Sequence, residues 1–105
     1  MDNLQSAYIK TEHPGKGNGI TIKQTLYLEI VNFIVSNVRA SDKVSLPILL
    51  TRSSSKFRNI SDIQSYINYV KLDLEAKGLI RMVTVASINM VCVHLTALGL
   101  KIFDA

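Results

Sequence analysis

Residues 61–96 restrict this chain more tightly than any other part of it. Within Ser61-Asp62-Ile63-Gln64-Ser65-Tyr66-Ile67-Asn68-Tyr69-Val70-Lys71-Leu72-Asp73-Leu74-Glu75-Ala76-Lys77, the apolar residues Ile63, Ile67, Val70 and Leu74 recur at i, i+4, i+7 and i+11. That spacing gives a helix with one narrow core seam. Ser61 and Gln64 fit a capping box at its start, each side chain meeting a backbone N–H left unpaired by the first turn. Gly78 supplies the stop, because glycine enters the left-handed conformation freely. Two strand-like runs follow, Leu79 to Val85 and Met90 to Leu95, and Ala86-Ser87-Ile88-Asn89 between them predicts a hairpin. A helix seam followed directly by a hairpin must close against the same core.

Size permits one such core. At 105 residues, 48% hydrophobic and 19% charged, the chain is long enough for a single modest domain and leaves no room for a second. Charges such as Lys43, Arg52 and Lys77 break the apolar stretches before any reaches the roughly 20 residues of a membrane span. The first residues lack a basic segment followed by an apolar block, so no secretory signal is expected and a cytoplasmic chain without membrane contact is the default. The single Cys92, between Val91 and Val93, reads as a small buried residue on a strand. Twelve basic against eight acidic side chains give a net charge of +4, compatible with a polyanionic partner. Distribution is more telling. From Lys43 to Arg58 there are four basic residues and no acidic one, and Asp62 is the first acid after them.

Upstream, residues 1–20 form an arm. His13-Pro14-Gly15-Lys16-Gly17-Asn18-Gly19 is a turn, and Leu4, Ala7, Tyr8 and Ile9 before it suit a short strand or a turn of helix. Thr21 with Gln24 fits another capping box, from which a first helix runs to about Arg39. Its apolar residues cover an arc of about 240°, against the ~100° stripe of an ordinary surface helix, so a second apolar side must be covered by the arm, the last helix or another protomer. A short strand fits Lys43-Val44-Ser45-Leu46. Pro47 suits the first position of a second helix, which Ser53-Ser54-Ser55-Lys56 should end. Thr96 can cap a last short helix through Phe103. The order is α, β, α, α, β, β, α.

Leu74-Glu75-Ala76-Lys77-Gly78-Leu79-Ile80-Arg81 and Leu95-Thr96-Ala97-Leu98-Gly99 resemble the corresponding segments of winged helix-turn-helix regulators of the multiple-antibiotic-resistance (MarR) and PadR types, over about residues 21–105. The resemblance implies an α+β winged-helix domain at 21–105, with a three-helix core, a two- to three-stranded β-wing and a short C-terminal helix. It also implies sequence-specific binding of double-stranded DNA by a homodimeric transcriptional regulator, with the third helix (about 61–77) in the major groove. Small plasmid, phage and archaeal-virus winged-helix proteins, including those that bind centromeres or replication sites, have a similar economy. Two features depart from the regulators. The wing tip, residues 86–89, carries no Lys or Arg with which to enter a minor groove. The chain stops at Ala105 without their long dimerisation helix, so a dimer is expected to use the first helix and the arm, through Leu28, Val31, Val35 and Tyr8. The alternative reading is a winged-helix protein-interaction module that never touches nucleic acid, since a fold does not fix its function.

On the DNA reading, Gln64, Ser65, Asn68 and Tyr69 stand opposite the seam of the third helix, where Asn and Gln can pair bidentately with adenine and each good pair contributes about 1–3 kcal/mol of discrimination. Arg52, Lys56 and Arg58, with the hydroxyls of Ser53, Ser54 and Ser55, are expected in the turn before that helix, on phosphate. Asp62 would repel phosphate and is better placed at the helix N-terminus. An enzyme is not expected: His13, His94 and Cys92 offer no metal-site spacing, and Gly15-Lys16-Gly17-Asn18-Gly19 lacks the Lys-Ser/Thr of a phosphate loop. No cofactor or metal is implied, and no residue identifies a small-molecule effector.

Overall fold

The computed structural model describes residues 8–13 and 19–103. Two short strands come first, β1 (Tyr8–Lys10) and β2 (Thr21–Lys23). They are followed by α1 (Gln24–Ser41), β3 (Val44–Ser45), α2 (Leu46–Lys56), α3 (Ile63–Ala76), β4 (Ile80–Val85), β5 (Met90–Leu95) and α4 (Ala97–Phe103). The chain is thus α+β, and among the described residues it has four helices and two small antiparallel sheets: the ribbon β1–β2, and a three-stranded sheet in the order β3-β5-β4. Among the same residues, no helix is long and apolar enough to cross a membrane.

The seam of α3 is buried as its spacing requires, with Ile63, Ile67, Val70 and Leu74 all at most 5% exposed. It meets Ile30, Ile34 and Val38 of α1, Leu49 of α2, and Ile80 and Val93 of the sheet in one cluster. Full burial of a side chain of this size contributes about 1.5–3 kcal/mol, so this cluster is the main source of stability. Gly78 takes φ +74° and turns the chain into β4, whose register with β5 runs from Ile80↔Leu95 to Val85↔Met90. The Leu-Thr-x-x-Gly segment closes the domain. Thr96 Oγ1 accepts the Gly99 N–H at 2.9 Å and donates to the Gly78 carbonyl at 2.6 Å. Gly99 packs so tightly that a Cβ there would lie 2.0 Å from the Leu79 carbonyl oxygen.

Four expectations are corrected. The first helix does not start at a Thr21–Gln24 capping box: Thr21, Ile22 and Lys23 are extended and pair with Lys10, Ile9 and Tyr8, and the helix begins at Gln24 with no side-chain cap. A division at residue 20 therefore runs through the ribbon. Leu4, Ala7 and residues 14–18 lie outside the described residues. The Ser53–Lys56 run does not end α2 but belongs to it. Its hydroxyls are satisfied along the helix, Ser53 Oγ donating to the Leu50 carbonyl at 2.6 Å, as short polar side chains can when packing holds the backbone helical. The end comes at Phe57, buried edge-on against Phe33 with ring centroids 5.5 Å apart. Ser61 does not cap α3 either: Asp62 holds the cap position at φ 57° with no side-chain bond to the helix. Lastly, the arm's ribbon is one cover of the wide apolar arc of α1, as the sequence allowed, and α2, α3 and the sheet supply the rest, so the dimer contact assigned to this helix is what changes. Val31 and Val35 are only 7% exposed, which removes them as a surface for a second protomer, while Leu28 and Tyr8 stay about half exposed.

Candidate nucleic-acid interface

The two halves of α3 have different surroundings. In its C-terminal half even Lys71 and Asp73 are buried, whereas Gln64, Ser65 and Asn68 in the first half are exposed and Tyr69 is half-buried. The difference lies in the outer face alone, because Ile63 and Ile67 of the first half are buried with the rest of the seam and α3 packs on α2 as well as on α1 and the sheet. Ser54 of α2, Arg58 of the connecting turn, and Asp62, Gln64 and Ser65 line one open depression of about 400 Å³. Gln64 is turned back onto α2, its Nε2 donating to the Leu50 carbonyl at 3.3 Å and to Ser54 Oγ at 3.2 Å. It bridges the two helices at the surface, and Ser65 and Asn68 are left as the exposed polar groups of this half, with Tyr69 half-buried beside them.

The expected phosphate-contacting set does not stay together. Only Arg58 lies in the turn; Arg52, Ser54, Ser55 and Lys56 are on α2. Arg52 donates to Asn37 Oδ1 of α1 at 2.7 Å. Lys56, one turn further along the same face, borders a hollow with Glu29, Asn32, Phe33 and Ser36 of α1. Both cations thus point to the α1 side, away from the depression. Ser53 is fully buried and cannot reach a ligand. Arg58 shares the lining of the depression with Asp62. Ser54 and Arg58 remain beside the exposed end of α3; Ser55 is exposed on α2 outside that depression.

Beside that end the structure gathers a second group, in which Lys23 and Asn59 had no role assigned from sequence and Tyr8, Thr21 and Ser61 had different ones. Tyr8, Thr21 and Lys23 of the ribbon line a second open depression together with Asn59, Ser61 and Tyr66. The signal was present in Tyr8-Ile9-Lys10 and Thr21-Ile22-Lys23, each polar-apolar-polar, the alternation of a strand with one buried face.

A buried polar cluster anchors this flank. Asp73, fully buried, accepts the Glu12 N–H at 2.8 Å, the Tyr27 hydroxyl, and Lys77 Nζ at 2.9 Å. One carboxylate on α3 thereby ties the chain after β1 to α1 and to the end of α3. Burial raises the Tyr27 pKa above its ordinary 10.0, and the adjacent Asp73 carboxylate adds to the effect. For Lys77, partial burial acts against the charged form but is outweighed by the bonds to Asp73 and Tyr27, leaving the ammonium pKa above 10.5. Cys92 is buried and His94 half-buried on β5, and among the described residues no three His, Cys, Asp or Glu side chains gather into a group that could hold a metal ion. Comparison with protein-family models, with curated proteins and with solved structures finds no match to this chain.

Proposed function

We propose that this chain is a winged-helix protein that binds double-stranded DNA, with the first half of α3 in the major groove and the β4–β5 hairpin as its wing. The observation that carries the reading is the polar outer face of that half-helix: Ser65 and Asn68 are exposed, and Ser65 shares a depression with Arg58 and Ser54, while the buried seam from Ile63 to Leu74 holds the helix along its length. A helix held along one face and polar on the opposite one meets the geometric need of groove reading. The role we infer is that of a cytoplasmic transcriptional regulator, working as a homodimer with Leu28 the exposed member of its contact surface.

A second reading has its own support. Ile48 of α2 and Ile88 and Met90 of the wing are 43%, 53% and 37% exposed and border one hollow. An apolar surface of this kind suits a protein partner better than a polyanion. Fluorescence anisotropy of random-sequence duplex DNA, at low and near-physiological salt, separates the two. Tight binding that falls steeply with salt is the expected result. Absence of binding even at low salt would overturn the DNA reading in favour of a protein-interaction module.

A further inference from the structure

The outer face of the N-terminal ribbon is uniform. In the register Tyr8↔Lys23, Ile9↔Ile22, Lys10↔Thr21, the central isoleucine pair is directed inward, with Ile22 2% exposed. The two flanking pairs, Tyr8–Lys23 and Lys10–Thr21, are exposed. Two ammonium groups, a phenol and a hydroxyl thus share one face that contains no acid. The nearest carboxylate in sequence is Glu12, beyond the end of β1.

Its position relative to α3 is set at two points. At one end, Tyr8, Thr21 and Lys23 share a depression with Ser61 and Tyr66 at the start of α3. At the other, the Glu12 N–H is bonded to Asp73 three turns further along the helix. The bond between Thr11 N–H and the Ile20 carbonyl, 2.8 Å, continues the ribbon toward its turn. The ribbon packs on α1 and approaches α3 at these two points. The hairpin that the fold supplies as a wing offers the opposite chemistry at its tip, residues 86–89, where Ile88 is exposed and no cation is present.

We infer that the β1–β2 ribbon, and not the β4–β5 wing, is the second DNA-contacting element of this protein, with Lys10 and Lys23 on phosphates of the duplex whose major groove receives α3. This rests on the DNA reading above. Tyr8 and Thr21 can add neutral hydrogen bonds to phosphate oxygens. Such contacts set register and affinity without reading sequence.

The test uses the full chain and three variants: Lys10→Gln/Lys23→Gln, a charge-matched control Lys43→Gln/Lys101→Gln away from the ribbon, and Ile88→Ser at the wing tip. Each is titrated against random-sequence duplex across a salt series. Since each phosphate contact adds about 0.9 to the slope of log K against log salt, one lost lysine should weaken binding about eightfold at 0.1 M salt. The ribbon variant should lose about 1 to 2 from the slope, the control much less, and the wing variant nothing. All four should share one melting temperature, because the altered side chains are exposed. Equal losses in the ribbon variant and the control would reduce the effect to net charge and overturn the inference. An unchanged slope in the ribbon variant would do the same while leaving the DNA reading intact. Failure of the unaltered protein to bind duplex at low salt would overturn both.

Discussion

Replacing Tyr27 by Phe deletes one oxygen and keeps a ring that is 8% exposed, so the loss can be assigned to one hydrogen bond. That bond is donated to a carboxylate, Asp73, which is itself fully buried. Hydrogen bonds to charged groups contribute about 1.5–3 kcal/mol, and Asp73 retains the Glu12 N–H and Lys77, which places the expected cost near 2 kcal/mol. For a domain of this size that corresponds to a drop of roughly 10 °C in Tm. Asp73→Asn is more severe, because it removes the charge and sets an amide donor among three donors; breaking a buried charged contact in this way costs about 3–5 kcal/mol. Urea unfolding followed by far-UV circular dichroism measures both. The double variant should lose less than the sum of the two, since both changes act on one contact. A Tyr27→Phe loss below about 0.5 kcal/mol, the range of an ordinary surface change, would refute the assignment of the cluster as the anchor between β1, α1 and α3.

Further outcomes follow from the same geometry. The Tyr27 and Lys77 pKa values are both raised in the folded state, so their stabilisation is complete below about pH 10 and is lost as the pH rises through the folded values. Urea midpoints should hold to about pH 10 and then fall; a decline already complete by pH 9 would contradict this. Gly99→Ala should destabilise by about 1–3 kcal/mol by overpacking the Leu79 carbonyl. Gly78→Ala, with open space around it, should cost only the left-handed backbone, about 1–2 kcal/mol; reversal of that order in thermal melts would overturn the packing argument. In DNA titrations, Asn68→Ala should weaken a selected site by about 1–3 kcal/mol with little effect on random duplex. Arg58→Ala should weaken all duplexes, and Lys56→Ala, turned toward α1, should change little. Equal losses for Lys56 and Arg58 would show that the side of α2 does not matter.

What the sequence determined by itself lies where short-range chemistry is sufficient. The α3 seam, the Gly78 stop, the hairpin at residues 80–95 and the Thr96 cap each depend on residues a few positions apart. No distant contact opposes them. The starts of α1 and α3 and the end of α2 were decided by tertiary structure instead. Thr21–Lys23 has an acceptable capping pattern, but pairing with Tyr8–Lys10 and burial of Ile22 hold it extended. Ser53–Ser55 has a helix-ending composition, but Ser53 packs in the interior, its hydroxyl bonds Leu50, and the helix continues to Phe57. The candidate interface divides in the same way. That α3 would carry Ser65, Asn68 and Tyr69 on its polar face was legible from periodicity. That Arg52 and Lys56 face α1, that Gln64 turns back onto α2, and that Lys23 arrives near the start of α3 from a ribbon far away in sequence were not legible. These depend on how the elements rotate against one another, and periodicity specifies which residues share a face without specifying which neighbour that face meets. Asp73 is the clearest case. In sequence it is one more acid on a helix, and only the convergence of Glu12, Tyr27 and Lys77 in three dimensions makes its burial affordable.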